Sequence, residues 1–297
     1  MTAAWARFGD LAAVSHAESR RIAEEVRKPW ARGGPQMASI TERMVPAPTG
    51  PVRVRFYDPG PDVSKPVLIY LHGGGWTLFS LDTHDRVMRE YAARAGVMVA
   101  GVDYALSPEA KYPVALEQVV AVARFFGERG ERIAIGGDSA GANLALATCL
   151  RLRDVGQPQL IRAMVLNYGV FDRRSSPEAH HRFGGAGNML TSEEMESFWR
   201  NYLRDDGDAE DPLVCPLRAD LHGVPRAVLV VPECDLLAEQ SLKMADHLRA
   251  AGVPVELKFY RGATHSFLEA VSIAPLADRA FADTAAWLRA SLSSTAP

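Results

Sequence analysis

The 297-residue chain is 47% hydrophobic and 23% charged, a balance that suits a globular enzyme with a sizeable core in one large or two smaller domains. Its net charge of -3, with Lys and Arg dispersed, provides no basic field for nucleic acid or an anionic membrane, so the expected partner is a neutral small molecule. Three cysteines, Cys149, Cys215 and Cys234, are an odd number without metal-ligand spacing, which predicts reduced thiols and a cytoplasmic location.

Residues 1–30 mix apolar residues with Arg, Glu and His and lack the unbroken apolar core of a secretory leader. No run approaches membrane-spanning length. Leu11, Val14, Ile22 and Val26 have a loose helical period, and Pro29 is expected to end that helix. Val52, Val54 and Phe56 alternate with Arg53 and Arg55 as a half-exposed strand, before a turn at Pro59-Gly60-Pro61.

From there short apolar runs alternate with helical stretches. The runs are Val67–Leu71, Val97–Val102, Ile133–Ile135, Ala163–Leu166, Ala227–Val231 and Val255–Tyr260, and the helices fall near 84–95, 114–127, 140–154, 239–250 and 276–292. Continuous apolar strands are those buried on both faces, so the pattern predicts an α/β fold with a mostly parallel sheet and helical crossovers. In such sheets function gathers at the carboxyl ends of the strands. Residues 172–210 carry no strand pattern and read as an insertion, with a capping box at Thr191-Ser192-Glu193-Glu194 opening an amphipathic helix through Met195, Phe198, Trp199, Tyr202 and Leu203.

Four of these strands lead into residues with chemistry. Ile135-Gly136 runs into Gly137-Asp138-Ser139-Ala140-Gly141 and an apolar helix, the pattern of a nucleophile elbow: a turn so tight that it needs small residues around a serine thrust above the sheet. Val67–Leu71 ends in His72-Gly73-Gly74-Gly75-Trp76, where backbone N–H groups of Gly73, Gly74 or Gly75, with that of Ala140, can stabilise the anion of acyl transfer. The sequence does not choose between these glycines.

A serine nucleophile needs a base, and of eight histidines His265 lies past the strand Val255–Tyr260, beyond the loop Arg261–Thr264. His180-His181 lacks companion metal ligands, and no metal site is expected. The acid that orients the base is sought past Ala227–Val231, where Asp235 is preferred and Glu233 is its nearest rival.

Together His72–Trp76, Gly137–Gly141 and His265-Ser266-Phe267 resemble the hormone-sensitive-lipase-like family of α/β-hydrolases, over roughly residues 50–290. Leu81–Arg86 and Asp103–Ala110 are most similar to the bacterial acetyl esterases within it. The resemblance implies Ser139, Asp235 and His265 as a triad. It also implies an α/β-hydrolase core over 51–171 and 211–297, with a helical cap over 1–50 and 172–210. Two positions depart from the family pattern: Cys215, where serine is commoner, and Leu236, where proline is commoner.

The expected activity is a serine carboxylesterase cleaving short-acyl esters through an acyl-enzyme, without metal or organic cofactor. An amidase or formamidase would use the same groups, and a non-catalytic receptor on this fold is disfavoured by His265. A homodimer would suit the family. Trp76 is expected to line the substrate pocket, with Phe198, Trp199 and Tyr202 as candidates on the cap helix.

Overall fold

In the computed structural model, which describes residues 2–5, 7–8, 14–60 and 65–293, eight strands form one sheet among the described residues. They are β1 (Ser39–Val45), β2 (Val52–Asp58), β3 (Val67–Leu71), β4 (Met98–Asp103), β5 (Ile133–Asp138), β6 (Ile161–Asn167), β7 (Arg226–Cys234) and β8 (Val255–Thr264). The spatial order is β1-β2-β4-β3-β5-β6-β7-β8. β1 and β2 pair antiparallel, as do β2 and β4, and every other neighbouring pair is parallel.

The apolar runs are continuous because both faces of the sheet are covered. On β3, Val67, Ile69 and Leu71 enter one core while Leu68 and Tyr70 enter the other. The first core also holds the apolar residues of α4 (Val114–Gly127), α5 (Ala140–Asp154) and α8 (Ala238–Ala250). The second holds those of α3 (Asp85–Ala95) and α9 (Pro275–Ser293). Here the period-2 alternation of strands and the one-sided stripes of helices agree, as a packed α/β fold requires.

The amino-terminal region differs from expectation. Two helices, α1 (Thr2–Trp5) and α2 (His16–Ala31), are followed by β1, which lies within the expected cap stretch 1–50 but joins the sheet. Six of the seven β1 residues are exposed, so this edge strand shows no apolar alternation; its pairing with β2, from Ser39↔Asp58 to Val45↔Val52, defines it instead. Leu11 lies outside the described residues. Pro29 does not end α2, which continues to Ala31, because a proline two residues from a helix end removes one bond of an already fraying turn.

Two strands outrun their apolar segments. β7 continues past Val231 to Cys234, and β8 past Tyr260 to Thr264, so the stretch 261–264 is ladder rather than loop. Cys234 pairs with Thr264 after a bulge, and the next residues, Asp235 and His265, therefore leave the sheet side by side. The insertion contains α6 (Pro177–Phe183) and α7 (Ser192–Tyr202), and at the start of α7 the capping box is present: Glu194 N–H donates to Thr191 Oγ1 at 3.2 Å and Thr191 N–H to Glu194 Oε2 at 2.8 Å. Among the described residues no helix is long and apolar enough to cross a membrane.

Candidate active site

β5 delivers Ser139 on a turn held in the left-handed region at φ 53° and ψ -117°, a conformation that only tight surroundings sustain in a non-glycine residue. Those surroundings explain the flanking glycines. A Cβ on Gly141 would lie 2.0 Å from the Leu71 carbonyl oxygen, and one on Gly137 only 2.4 Å from it. The end of β3 thus packs directly against the elbow and sets the His72–Trp76 loop beside Ser139. α5 begins at Ala140, so its positive end lies next to the serine.

Ser139 Oγ is 3.1 Å from His265 Nε2, and His265 Nδ1 is 2.8 Å from Asp235 Oδ2. All three residues are buried. The Asp235 carboxylate is oriented by the Leu237 N–H, which donates to its other oxygen at 3.0 Å. The edge of the Tyr168 ring packs on the imidazole with centroids 5.1 Å apart. Glu233, the rival acid, faces elsewhere: its Oε2 accepts the Gly262 N–H at 2.8 Å and ties β7 to the end of β8.

A cavity of about 500 Å³ opens over Ser139 and His265. Gly74 and Gly75 line it and Gly73 does not. Gly73 is wedged against Asp138, whose Oδ2 would lie 2.3 Å from a Cβ there. Gly74 and Gly75 have φ of 108° and 58°. Among the described residues, no backbone or side-chain acceptor takes the N–H of Gly74, Gly75 or Ala140.

Of the four pocket residues expected from sequence, Phe198 lines the cavity, and Trp76, Trp199 and Tyr202 do not. Those three are at most 1% exposed and pack together, with Trp76 stacked on Tyr202 at 4.1 Å and 5°. Their large apolar surface joins α7 to the core, which takes precedence over contact with a ligand. Phe198 sits one residue before Trp199, beside the buried row Met195, Trp199 and Tyr202. It is half-buried, with its ring against Gly75, where a Cβ would fall 2.1 Å from Cγ. Much of the remaining wall comes from residues that no motif marked: Ala3 and Trp5 of α1, Arg27 of α2, Leu78, Phe79 and residues 187–190.

A second network lies beneath the nucleophile. Tyr70 OH donates to Asp138 Oδ1 at 2.9 Å, and His84 Nε2 is 3.3 Å from Asp138 Oδ2 and 3.9 Å from Glu269 Oε1. Glu269 is ion-paired with Arg27. Burial opposes the charged form of Asp138, but His84 and the Tyr70 hydroxyl outweigh it and hold the carboxyl below its usual range. The ligand atoms of His84, Asp138 and Glu269 all fall within 4.8 Å of one another, and the two carboxylates also face Tyr70 and Arg27, respectively. His180 and His247 are exposed.

His72 is a structural histidine. It stacks on Tyr104 with centroids 4.5 Å apart, and Nδ1 donates to the Gly73 carbonyl at 2.7 Å. Burial, together with the nearby His84, pushes its pKa down from 6.5 to about 3. The unfolded chain binds a proton that the folded chain refuses between these values, so this contribution to stability is complete above pH 6.5 and is lost as pH falls toward 3. Urea unfolding is therefore expected to show stability falling by up to about 1.4 kcal/mol per pH unit in that window. A free energy of unfolding that stays constant from pH 6.5 to 4.5 would contradict a neutral His72.

Comparison with known proteins agrees with this architecture. A family model described as the alpha/beta hydrolase fold matches residues 68–269. An acetyl esterase of Salmonella choleraesuis is 40% identical over 274 residues, covering 89% of this chain and 84% of that one. An esterase of Pyrobaculum calidifontis superposes with a TM-score of 0.89 at 30% identity, covering 94% of each chain. A thermostable carboxylesterase cloned from a metagenomic library superposes at 0.90 and 31% identity, over 94% of this chain and 98% of that one. With its fold, the turn that presents Ser139 and these relatives in agreement, the chain belongs to the hormone-sensitive-lipase-like family of α/β-hydrolases and is a carboxylic ester hydrolase.

Proposed function

We propose that the protein hydrolyses short-acyl esters of small molecules through an acyl-enzyme on Ser139. The observation that carries this reading is the set in which Ser139 Oγ lies 3.1 Å from His265 Nε2 and His265 Nδ1 lies 2.8 Å from Asp235 Oδ2, with Ser139 and His265 facing the cavity. His265 accepts the serine proton as Oγ attacks the ester carbonyl, and Asp235 stabilises the imidazolium that forms. The carbonyl oxygen becomes an anion met by the N–H groups of Gly74, Gly75 and Ala140, which need no reorganisation at that moment. His265 then protonates the departing alkoxide, and water, activated by the same base, releases the acid. No step requires a metal or organic cofactor.

Within this reading α1, α2 and the insertion over 172–210 act as a cap, since Trp5, Arg27, residues 187–191, Glu194 and Phe198 wall the cavity that the strand ends floor. A cytoplasmic setting is supported by three free thiols at Cys149, Cys215 and Cys234.

Preference for a short acyl group is supported by Phe198, which covers Gly75 at the wall of the cavity. Each methylene that finds room contributes about 0.8 kcal/mol, so kcat/KM is expected to rise from acetyl to butyryl p-nitrophenyl esters and then to fall. Phe198→Ala should move the optimum to longer chains, whereas Trp199→Ala, which opens a core, should lower stability by about 3–5 kcal/mol. A wild-type optimum at long acyl chains, or an unmoved optimum in Phe198→Ala, would count against this pocket. Labelling of the wild type, but not of Ser139→Ala, by a fluorophosphonate tests the nucleophile itself.

A further inference from the structure

Arg27 and Glu269 form an ion pair that is almost wholly shielded from water, with side chains 4% and 3% exposed. The two residues are far apart in sequence. Arg27 belongs to α2 in the amino-terminal region, and Glu269 lies in the short 3₁₀ turn Phe267–Ala270, four residues beyond His265. Between His265 and this turn the chain passes Ser266, held at φ 59°, whose carbonyl accepts the Glu269 N–H at 3.2 Å. The guanidinium also lies over the Phe79 ring at 4.4 Å and lines the cavity beside Asp138, Ser139, His265 and Ser266.

Stability alone accounts poorly for such a pair. A buried ion pair often contributes no more than well-packed apolar residues of the same volume, although removing one partner is costly. Its placement suggests another role. Apart from His265, Arg27 is the one basic side chain on the cavity wall among the described residues, where the carboxylates are Asp138 and Glu194; Asp138 and Glu269, which does not line the cavity, both face His84. The groups around the His265 imidazole are Asp235, Ser139 and the Tyr168 ring. Those around Arg27 are Glu269, Asp138, Tyr168 and Phe79.

We propose that Arg27 is a positioning residue for the hydrolytic reaction: through Glu269 it fixes the turn that follows His265, and its charge offsets the neighbouring carboxylates of Asp138 and Glu269. The amino-terminal helix thereby does more than roof the site, because it completes the electrostatic setting of the base. Burial lowers the pKa of Arg27 to about 10, which leaves it cationic at neutral pH. The inference rests on His265 as the general base.

The test measures kcat, KM and their pH dependence with p-nitrophenyl acetate for Arg27→Met, Glu269→Gln, Arg27→Lys and the double variant Arg27→Met/Glu269→Gln. Displacement of a base by a fraction of an ångström to one ångström costs up to about 10²-fold, so Arg27→Met and Glu269→Gln are each expected to lose about 10- to 100-fold in kcat, with KM changed far less. The acid limbs should move in opposite directions. Loss of the Arg27 cation leaves uncompensated carboxylates that favour the imidazolium and shift the limb to higher pH, and loss of the Glu269 anion shifts it lower. Arg27→Lys should recover most of kcat and return the limb toward its wild-type position.

The double variant leaves no unpaired charge buried, so it should fold even where Arg27→Met does not, and it should keep a near-wild-type limb with a kcat still depressed at least about 10-fold. Wild-type kcat in the folded double variant would overturn the proposal. So would single variants whose kcat falls while both limbs stay in place, because that pattern marks packing alone. These outcomes leave the triad assignment standing, which the Ser139 and Asp235 variants test separately.

Discussion

Ser139→Ala is expected to lower kcat on p-nitrophenyl acetate by about 10⁴-fold or more while leaving the urea unfolding transition close to that of the wild type. The size of the loss follows from the division of labour at the site. Without Oγ no acyl-enzyme can form, and His265, 3.1 Å away in the native arrangement, has no proton to accept. The residual rate should come from the N–H groups of Gly74, Gly75 and Ala140 together with substrate binding, and KM should change little. Stability should be preserved because Ser139 occupies a conformation at φ 53° that strains any L residue, and the exchange removes one hydroxyl without creating a cavity. A folded Ser139→Ala protein turning over within tenfold of wild type would refute the serine mechanism.

Asp235→Asn is expected to reduce kcat by about 10³- to 10⁴-fold, whereas Glu233→Gln should stay within about tenfold of wild type. Asp235 Oδ2 faces His265 Nδ1 at 2.8 Å, so the carboxylate keeps the proton on Nδ1 and leaves Nε2 free to accept from Ser139. The amide of asparagine can donate to Nδ1 instead. That places the imidazole proton on Nε2, where it blocks acceptance of the serine proton, and it also removes the charge opposing the imidazolium. Glu233 faces Gly262 instead of His265. Its carboxylate accepts the Gly262 N–H, and glutamine retains an oxygen that can do the same. Steady-state rates of the two variants, with circular dichroism to verify folding, decide the matter. A Glu233→Gln loss larger than that of Asp235→Asn would reassign the acid.

What the sequence determined by itself is the part encoded locally. The apolar runs of β3 to β6 are buried on both faces, so hydrophobicity alone marks them, and the elbow is legible because its glycines are required by atoms within a few residues or at the end of the adjacent strand. The order of Ser139, Asp235 and His265 along the chain, each past a strand, was readable for the same reason. Pairing decided the rest. β1 has no apolar pattern and exists through its ladder with β2; the ends of β7 and β8 beyond their apolar residues are set by the register that brings Cys234 opposite Thr264.

The cavity wall was the least legible feature, because helical period says which residues share a face but not what that face meets. Trp76 is the expected lining residue and Phe198, Trp199 and Tyr202 are candidates on one helix, and only packing shows Trp76, Trp199 and Tyr202 clustered in the core and Phe198 alone at the cavity. Arg27 and Glu269 carry no motif at all: a charge in an amphipathic helix and another after a histidine loop read as solvated residues until the tertiary structure buries them against each other. Long-range electrostatic pairing has no period and no spacing, and only the folded chain reveals it.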